Sequence, residues 1–212
     1  MEGLKKVRER IAQACARAGR AQGSVTLAAV SKGQPMEKIR EAFAAGQTLF
    51  AENYAQELRE KSSALPDAEW HFIGALQSNK ARMVVGRAAL IHTCDRISLA
   101  RELAKRAEGA QRVLLEVNIG REPQKSGVLP EEAPGLLDAV RALPQLRCEG
   151  LMCIPPAEGD PRPHFRALRE LGEKLGLREL SMGMSADYEA AIEEGATIVR
   201  VGTAIFGERI RR

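Results

Sequence analysis

Aromatic rings are scarce in this chain: five Phe, two Tyr and one Trp make up 4% of 212 residues. So few rings leave little for bases to stack on, which argues against a single-stranded nucleic-acid binder. An excess of one charge is also missing. Lys and Arg number 32 against 28 Asp and Glu, a net +4 mixed along the chain. The basic opening segment "MEGLKKVRERIAQACARAG" is interrupted by Glu2 and Glu9. It reads as the solvated face of a helix over about residues 2–19, not as a nucleic-acid stripe. It lacks the apolar centre of a signal peptide, and its acidic residues argue against a transit peptide. No apolar run approaches the twenty residues of a membrane span. The four cysteines, Cys15, Cys94, Cys148 and Cys153, form no CxxC pair, and the three histidines stand far apart with no HExxH. No metal site is read from them, and the thiols are expected to be buried and reduced. These absences point to a cytoplasmic protein with no nucleic-acid or membrane partner.

What the sequence does contain is alternation. After the first helix come "VTLAAVS", "TLFAEN", "EWHFIG", "ALIHTC", "RVLLEVN", "RCEGLMCI", "RELSMG" and "TIVRVG", eight strand-like runs. Between them lie segments such as "PMEKIREAFAAG", "ISLARELAKRAEG" and "PHFRALRELGEKLG", whose apolar residues recur at three and four. Gly46, Gly109 and Gly176 sit where helices should stop, Pro35 and Pro130 near where they should start. Strand–helix alternation means parallel pairing. Eight units predict an α/β fold, a single closed (β/α)8 TIM barrel over residues 1–212 with an extra N-terminal helix. An open doubly wound sheet is the alternative, and it is weakened because no GxGxxG follows the first strand.

A barrel of this kind builds its site at the carboxyl ends of its strands. Those ends carry Lys32, Glu52 with Asn53, Gly74 with Gln77 to Lys80, Asn118, Met152, the loop "SMGMS", and Arg200 with Gly202 and Thr203. A lysine enclosed by barrel walls loses solvation, which disfavours ammonium and frees the amine to attack a carbonyl. The resulting Schiff base is either transient with a substrate, as in an aldolase, or persistent with pyridoxal phosphate. In "SMGMS", Ser181 to Ser185, Gly183 allows close backbone approach to an oxyanion, and Ser185 is placed to cap the helical run "ADYEAAIEEG". Gly202 and Thr203 follow strand eight. Loops seven and eight are the usual phosphate cradle of such barrels, although each alone is also compatible with an ordinary tight turn. Both together, opposite a strand-one lysine, favour a phosphorylated ligand. In "TIVRVG", Arg200 alternates with Val199 and Val201 and faces the barrel mouth. It needs an acceptor: a pyridine nitrogen, or a barrel carboxylate such as Glu52 or Glu116.

At this point the chain resembles the pyridoxal phosphate homeostasis proteins, which share the barrel of the alanine racemase N-terminal domain. The resemblance rests on "AVSKGQP", "FAENYAQE", "WHFIGALQSNK", "VNIGREPQKSG", "GLMCIPP" and "LSMGMSADYEAAIEEGATIVRVGTAIFG", nearly the whole length. It implies pyridoxal 5'-phosphate carried as a Schiff base on Lys32. It also implies a phosphate held by Ser185, Gly202, Thr203 and the backbone of Ser181, Met182 and Gly183, with Arg200 facing the pyridine nitrogen and Asn53 bordering the ring. Lys125 matches a loop lysine of that family and is a candidate secondary acceptor. Two departures stand out: Gly33-Gln34 replaces a Thr-Lys or Thr-Gln pair, removing a second adjacent lysine, and Ala51 replaces a glycine.

The resemblance implies a carrier more than a catalyst. In the related racemases a tyrosine from an added β domain supplies a second base. Here about ten residues follow strand eight, and neither Tyr54 nor Tyr188 has an evident reason to stand over a cofactor. An arginine facing the pyridine also makes a weaker electron sink. The expectation is a monomer that stores pyridoxal phosphate and supplies apo-enzymes, with a weak racemase-like enzyme as the alternative.

Overall fold

The computed structural model describes residues 1–208; the last four residues of the expected barrel domain, 209–212, lie outside the described residues. Eight parallel strands close on themselves in sequence order. They are β1 (Thr26–Val30), β2 (Leu49–Glu52), β3 (Glu69–Phe72), β4 (Leu90–Cys94), β5 (Gln111–Glu116), β6 (Leu146–Met152), β7 (Glu179–Ser181) and β8 (Ile198–Val201). Closure is made by β1 against β8, with Ala28 opposite Arg200 and Thr26 opposite Ile198. The barrel is therefore the closed form, not the open sheet.

Helices α1 (Glu2–Arg17), α2 (Met36–Ala44), α3 (Ala55–Ala64), α4 (Ile97–Arg106), α5 (Ala133–Arg141), α6 (Arg162–Leu175), α7 (Tyr188–Glu193) and α8 (Thr203–Phe206) surround it, with a 3-10 helix, Ser78–Met83, after β3. Period-two alternation divides the core into two layers. Ala28, Val30, Leu49, Leu90, Leu114 and Ile198 are among the residues that fill the barrel interior. The residues next to them along each strand, such as Ala29, Phe50, Ile91 and Val113, pack outward against the helices.

The added helix α1 lies against α7 and α8, the two shortest helices of the ring. Its Leu4, Val7, Ile11 and Ala14, spaced by three and four, are buried. Each large member contributes about 1.5–3 kcal/mol by burial. Gly3 allows the approach: a Cβ there would stand 2.6 Å from the Ala204 carbonyl. Beyond the helix, Arg20 donates to the Ile192 and Ala196 carbonyls. α1 thus seals the side of the barrel that short helices would leave open.

One helix start differs from the sequence expectation. Residues 185–187 form a turn and α7 begins only at Tyr188. The Asp187 carboxylate accepts from the Met184 N–H, and the Met184 carbonyl accepts from the Asp187 and Tyr188 N–H groups, which closes the turn. Ser185 therefore caps no helix. Among the described residues no helix is long and apolar enough to cross a membrane, and no cluster of three metal-ligating side chains occurs.

Candidate functional site

A cavity of about 300 Å³ opens at the carboxyl ends of the strands, within the size range of small-ligand sites. Lys32, Asn53, Ser185, Arg200, Gly202 and Thr203 stand in its wall. Val30, Ile73, Ile154 and Met184 supply the apolar surface. Two of the wall residues are cationic and none is a carboxylate, so the site attracts an anionic ligand.

Lys32 follows β1 where the chain turns through Gly33, whose φ of +67° favours glycine. The Ser31 N–H donates to the Ala51 carbonyl, and the Gln34 N–H returns to the Ser31 carbonyl. The Ser31 hydroxyl donates to Glu52 Oε1 at 2.7 Å. Lys61 Nζ, from α3, donates at 2.7 Å to the Ser31 carbonyl, to Glu52 Oε1 and to Glu57 Oε2. Glu57 also accepts the Gly33 N–H at 2.8 Å. The turn carrying Lys32 is therefore pinned from below, and Lys32 itself is half-buried. Burial pushes the Glu52 carboxyl up, with the Lys61 ammonium and Ser31 hydroxyl pulling it back. The sequence reading missed Lys61. Its signal was present: Ala55, Leu58 and Lys61 share one face of α3, so a lysine lies on the buried stripe.

Arg200, 3% exposed, donates from Nη1 to the Ser181 hydroxyl at 2.7 Å and from Nη2 to the Cys153 carbonyl at 2.9 Å. The carboxylate alternative is not what the fold provides: Glu52 is engaged by Lys61 and Ser31. Glu116 attracts Arg200 through space, yet burial pushes its carboxyl up to about 7, and its Oε2 has no hydrogen-bond partner. Both guanidinium partners are neutral, so the charge remains available to a ligand.

The loop after β7 divides the sequence candidates. Ser185 joins Gly202 across the two loops, its Oγ accepting the Gly202 N–H at 3.4 Å. Ser181 lies fully buried behind Arg200 and outside the wall. Met182 is fully buried in the outer core, facing the helices. Gly183 has φ +91°, and a Cβ there would sit 2.6 Å from Ala191 Cβ and 2.8 Å from Tyr188 Cα. Close helix packing requires that glycine. The phosphate-side candidates that reach the cavity are Ser185, Gly202 and Thr203.

Asn53 and Gln34 each carry a buried side-chain oxygen without a protein partner, both in the wall. Gly74 permits the approach of the Asn53 backbone: its Cβ would fall 1.9 Å from the Asn53 carbonyl oxygen. Lys125 is not in the wall. It donates to the Pro155 carbonyl at 2.9 Å and pairs with Glu122, tying the loop after β5 to the loop that carries Ile154. Tyr54 is 58% exposed, and Tyr188 is buried beneath Arg10 of α1; neither lines the cavity. Burial pushes the Cys94 and Cys153 thiols up to about 12 and Cys148 to about 11, so none of these is a reactive thiolate.

Residues 3–210 match the family model described as the alanine racemase N-terminal domain. A pyridoxal phosphate homeostasis protein of Aquifex aeolicus is 49% identical over 222 residues, covering 98% of this chain and 97% of that protein. An unknown protein from Bifidobacterium adolescentis superimposes with a TM-score of 0.92 at 37% identity, covering 97% of this chain and 93% of its own. PipY of Synechococcus elongatus PCC7942, solved with PLP bound, gives 0.80 at 38% identity, covering 93% of this chain and all of its own.

Proposed function

The chain belongs to the family of the alanine racemase N-terminal domain and, within it, to the pyridoxal phosphate homeostasis proteins, and on that premise we propose that it binds pyridoxal 5'-phosphate on Lys32 and supplies it to apo-enzymes. The observation that carries this reading is the charge pattern of the cavity: an amine and a guanidinium, two hydroxyls, apolar walls and no carboxylate. That donor set fits a flat heteroaromatic ring with an aldehyde at one edge and a phosphate at another. Lys32 supplies the nucleophile. Ser185 and Thr203, with the Gly202 backbone, supply hydrogen-bond donors for the phosphate. Arg200 presents a permanent N–H to the ring nitrogen, and Asn53 and Gln34 offer oxygens to the ring's hydroxyl edge. When bound, the cofactor would supply an aldehyde, toward which Lys32 would present its amine for reversible imine formation with loss of one water.

The role is holding, not turnover. Neither tyrosine lies in the wall to serve as a base on the opposite face. An arginine that never releases its proton also leaves the ring nitrogen unprotonated. The relatives are named homeostasis proteins, which agrees with this reading. Absorbance titration with pyridoxal phosphate tests it. The wild type should develop a saturable visible Schiff-base band that Lys32→Ala abolishes, with no amino-acid racemisation at the same cofactor load. A saturable band in Lys32→Ala, or racemisation dependent on Lys32, would overturn it.

A further inference from the structure

Behind Arg200, a line of buried polar side chains crosses the barrel toward its amino face. Arg200 Nη1 donates to the Ser181 hydroxyl at 2.7 Å. Ser181 Oγ lies 2.8 Å from His92 Nδ1, His92 Nε2 lies 2.9 Å from His71 Nδ1, and His71 Nε2 lies 3.0 Å from Glu69 Oε1. His71, His92, Ser181 and Arg200 are all buried, whereas Glu69, the first residue of β3, has a side chain 48% exposed. The cavity wall includes Arg200 but none of the other four.

The ends of this chain dictate its direction. Arginine donates and cannot accept, so the Ser181 oxygen accepts from it; with one proton on each imidazole, the acceptor-only Glu69 end then turns the Ser181 proton to His92 Nδ1. His92 is then protonated on Nε2 and donates to His71 Nδ1; His71 is protonated on Nε2 and donates to Glu69. A carboxylate only accepts, so the far end demands the same order. In this order each ring carries its proton on Nε2, and burial, with the nearby Arg200 and Arg112, holds His92 well below the usual histidine range. The charged groups facing the chain are Arg200, with Glu116 and Asp187 acting on it through space, and at the other end Glu69 and Arg112, whose Nη1 stands 3.9 Å from Glu69 while its Nε binds Glu149. The His71 N–H, and secondarily Arg112, keep the Glu69 carboxyl below its ordinary range, so the anionic end persists into mild acid.

We propose that Glu69, His71, His92 and Ser181 are positioning residues that hold Arg200 through this one-way chain, so that the charge at the amino face tunes the grip on a ligand at the carboxyl face. The ligand's identity rests on the function proposed above. The physical route is polarisation along linked hydrogen bonds in a low-dielectric interior. A second proton on His71 would reverse both imidazoles and leave the Ser181 hydroxyl proton without its acceptor.

Glu69→Gln tests this at a surface position that the fold tolerates, since the amide oxygen still accepts from His71 but without charge. Two readings are taken. In the apo-protein, histidine-selective 15N NMR should find Nε2–H at both His71 and His92, and Glu69→Gln should shift the His92 ring signals two links away. In the loaded protein, Glu69→Gln should weaken pyridoxal phosphate binding about fivefold, at the low end of site-to-site coupling, and move the pH midpoint of binding. Glu173→Gln, which breaks a surface ion pair on α6, should leave both readings unchanged. An Nδ1–H tautomer at either ring, unmoved His92 signals, or unchanged affinity in a protein that binds the cofactor would each overturn the proposal. A wild type that fails to bind would instead sink the function proposed above, and the imidazole signals alone would then decide the chain.

Discussion

The Lys61 ammonium lies 2.7 Å from the Glu52 carboxylate, both buried, and both groups also bond Ser31, the residue before Lys32. Removing one partner of a buried ion pair leaves an uncompensated charge, at a cost of about 3–5 kcal/mol. Lys61→Met should lower stability by that amount in urea unfolding and weaken cofactor binding, because the Lys32 turn loses its bond to the Ser31 carbonyl, and Glu52 and Glu57, which also hold the turn, lose their cation. Lys61→Met combined with Glu52→Gln should recover part of the stability. A Lys61→Met protein as stable as wild type would refute this role.

Glu116 makes stability depend on pH in the direction opposite to a paired carboxylate. Burial raises its folded value from 4.5 to about 7. Below about pH 4.5 both folded and unfolded forms hold the proton, and the group has no effect. Between about 4.5 and 7 the unfolded chain ionises first, so stability falls as pH rises, by about 3 kcal/mol in total. Glu116→Gln should therefore match wild type near pH 4 in thermal unfolding and exceed it at pH 8. Equal gains at both pH values would contradict the assignment.

Ser185 and Thr203 are expected to discriminate by phosphate. A hydrogen bond to a charged group contributes about 1.5–3 kcal/mol. Each alanine variant should weaken pyridoxal phosphate binding about tenfold or more while leaving binding of pyridoxal, which lacks the phosphate, little changed. Parallel absorbance titrations with the two aldehydes measure the difference. Equal losses for both would remove these hydroxyls from the phosphate side.

Gly183→Ala separates packing from binding. The new methyl meets Ala191 and Tyr188 at a backbone of φ +91°, which should cost about 2 kcal/mol or more. Denaturant unfolding should show that loss, while the folded fraction binds the cofactor normally. A selective affinity loss at full stability would return Gly183 to the cofactor's side.

The legible and illegible parts of this molecule differ in range. The eight strands and the position of Lys32 follow from local periodicity, and Arg200 faces inward because it alternates with Val199 and Val201. Lys61 was hidden because its partners Ser31 and Glu52 come from other elements and meet it only in the folded barrel. The histidine pair was half visible: His71 alternates with Trp70 and Phe72, and His92 lies inside an apolar run. That the two rings meet depends on the β3–β4 register, which no local pattern encodes. Ser185 was misread as a helix cap because Asp187, two residues on, builds a turn that delays α7.

Borohydride reduction of the pyridoxal phosphate-loaded protein, followed by peptide mass mapping, tests the central claim most directly. The account predicts one pyridoxyl group per chain, on the peptide containing Lys32, and none after Lys32→Ala. A label on Lys61, Lys125 or another lysine with Lys32 unmodified would contradict it.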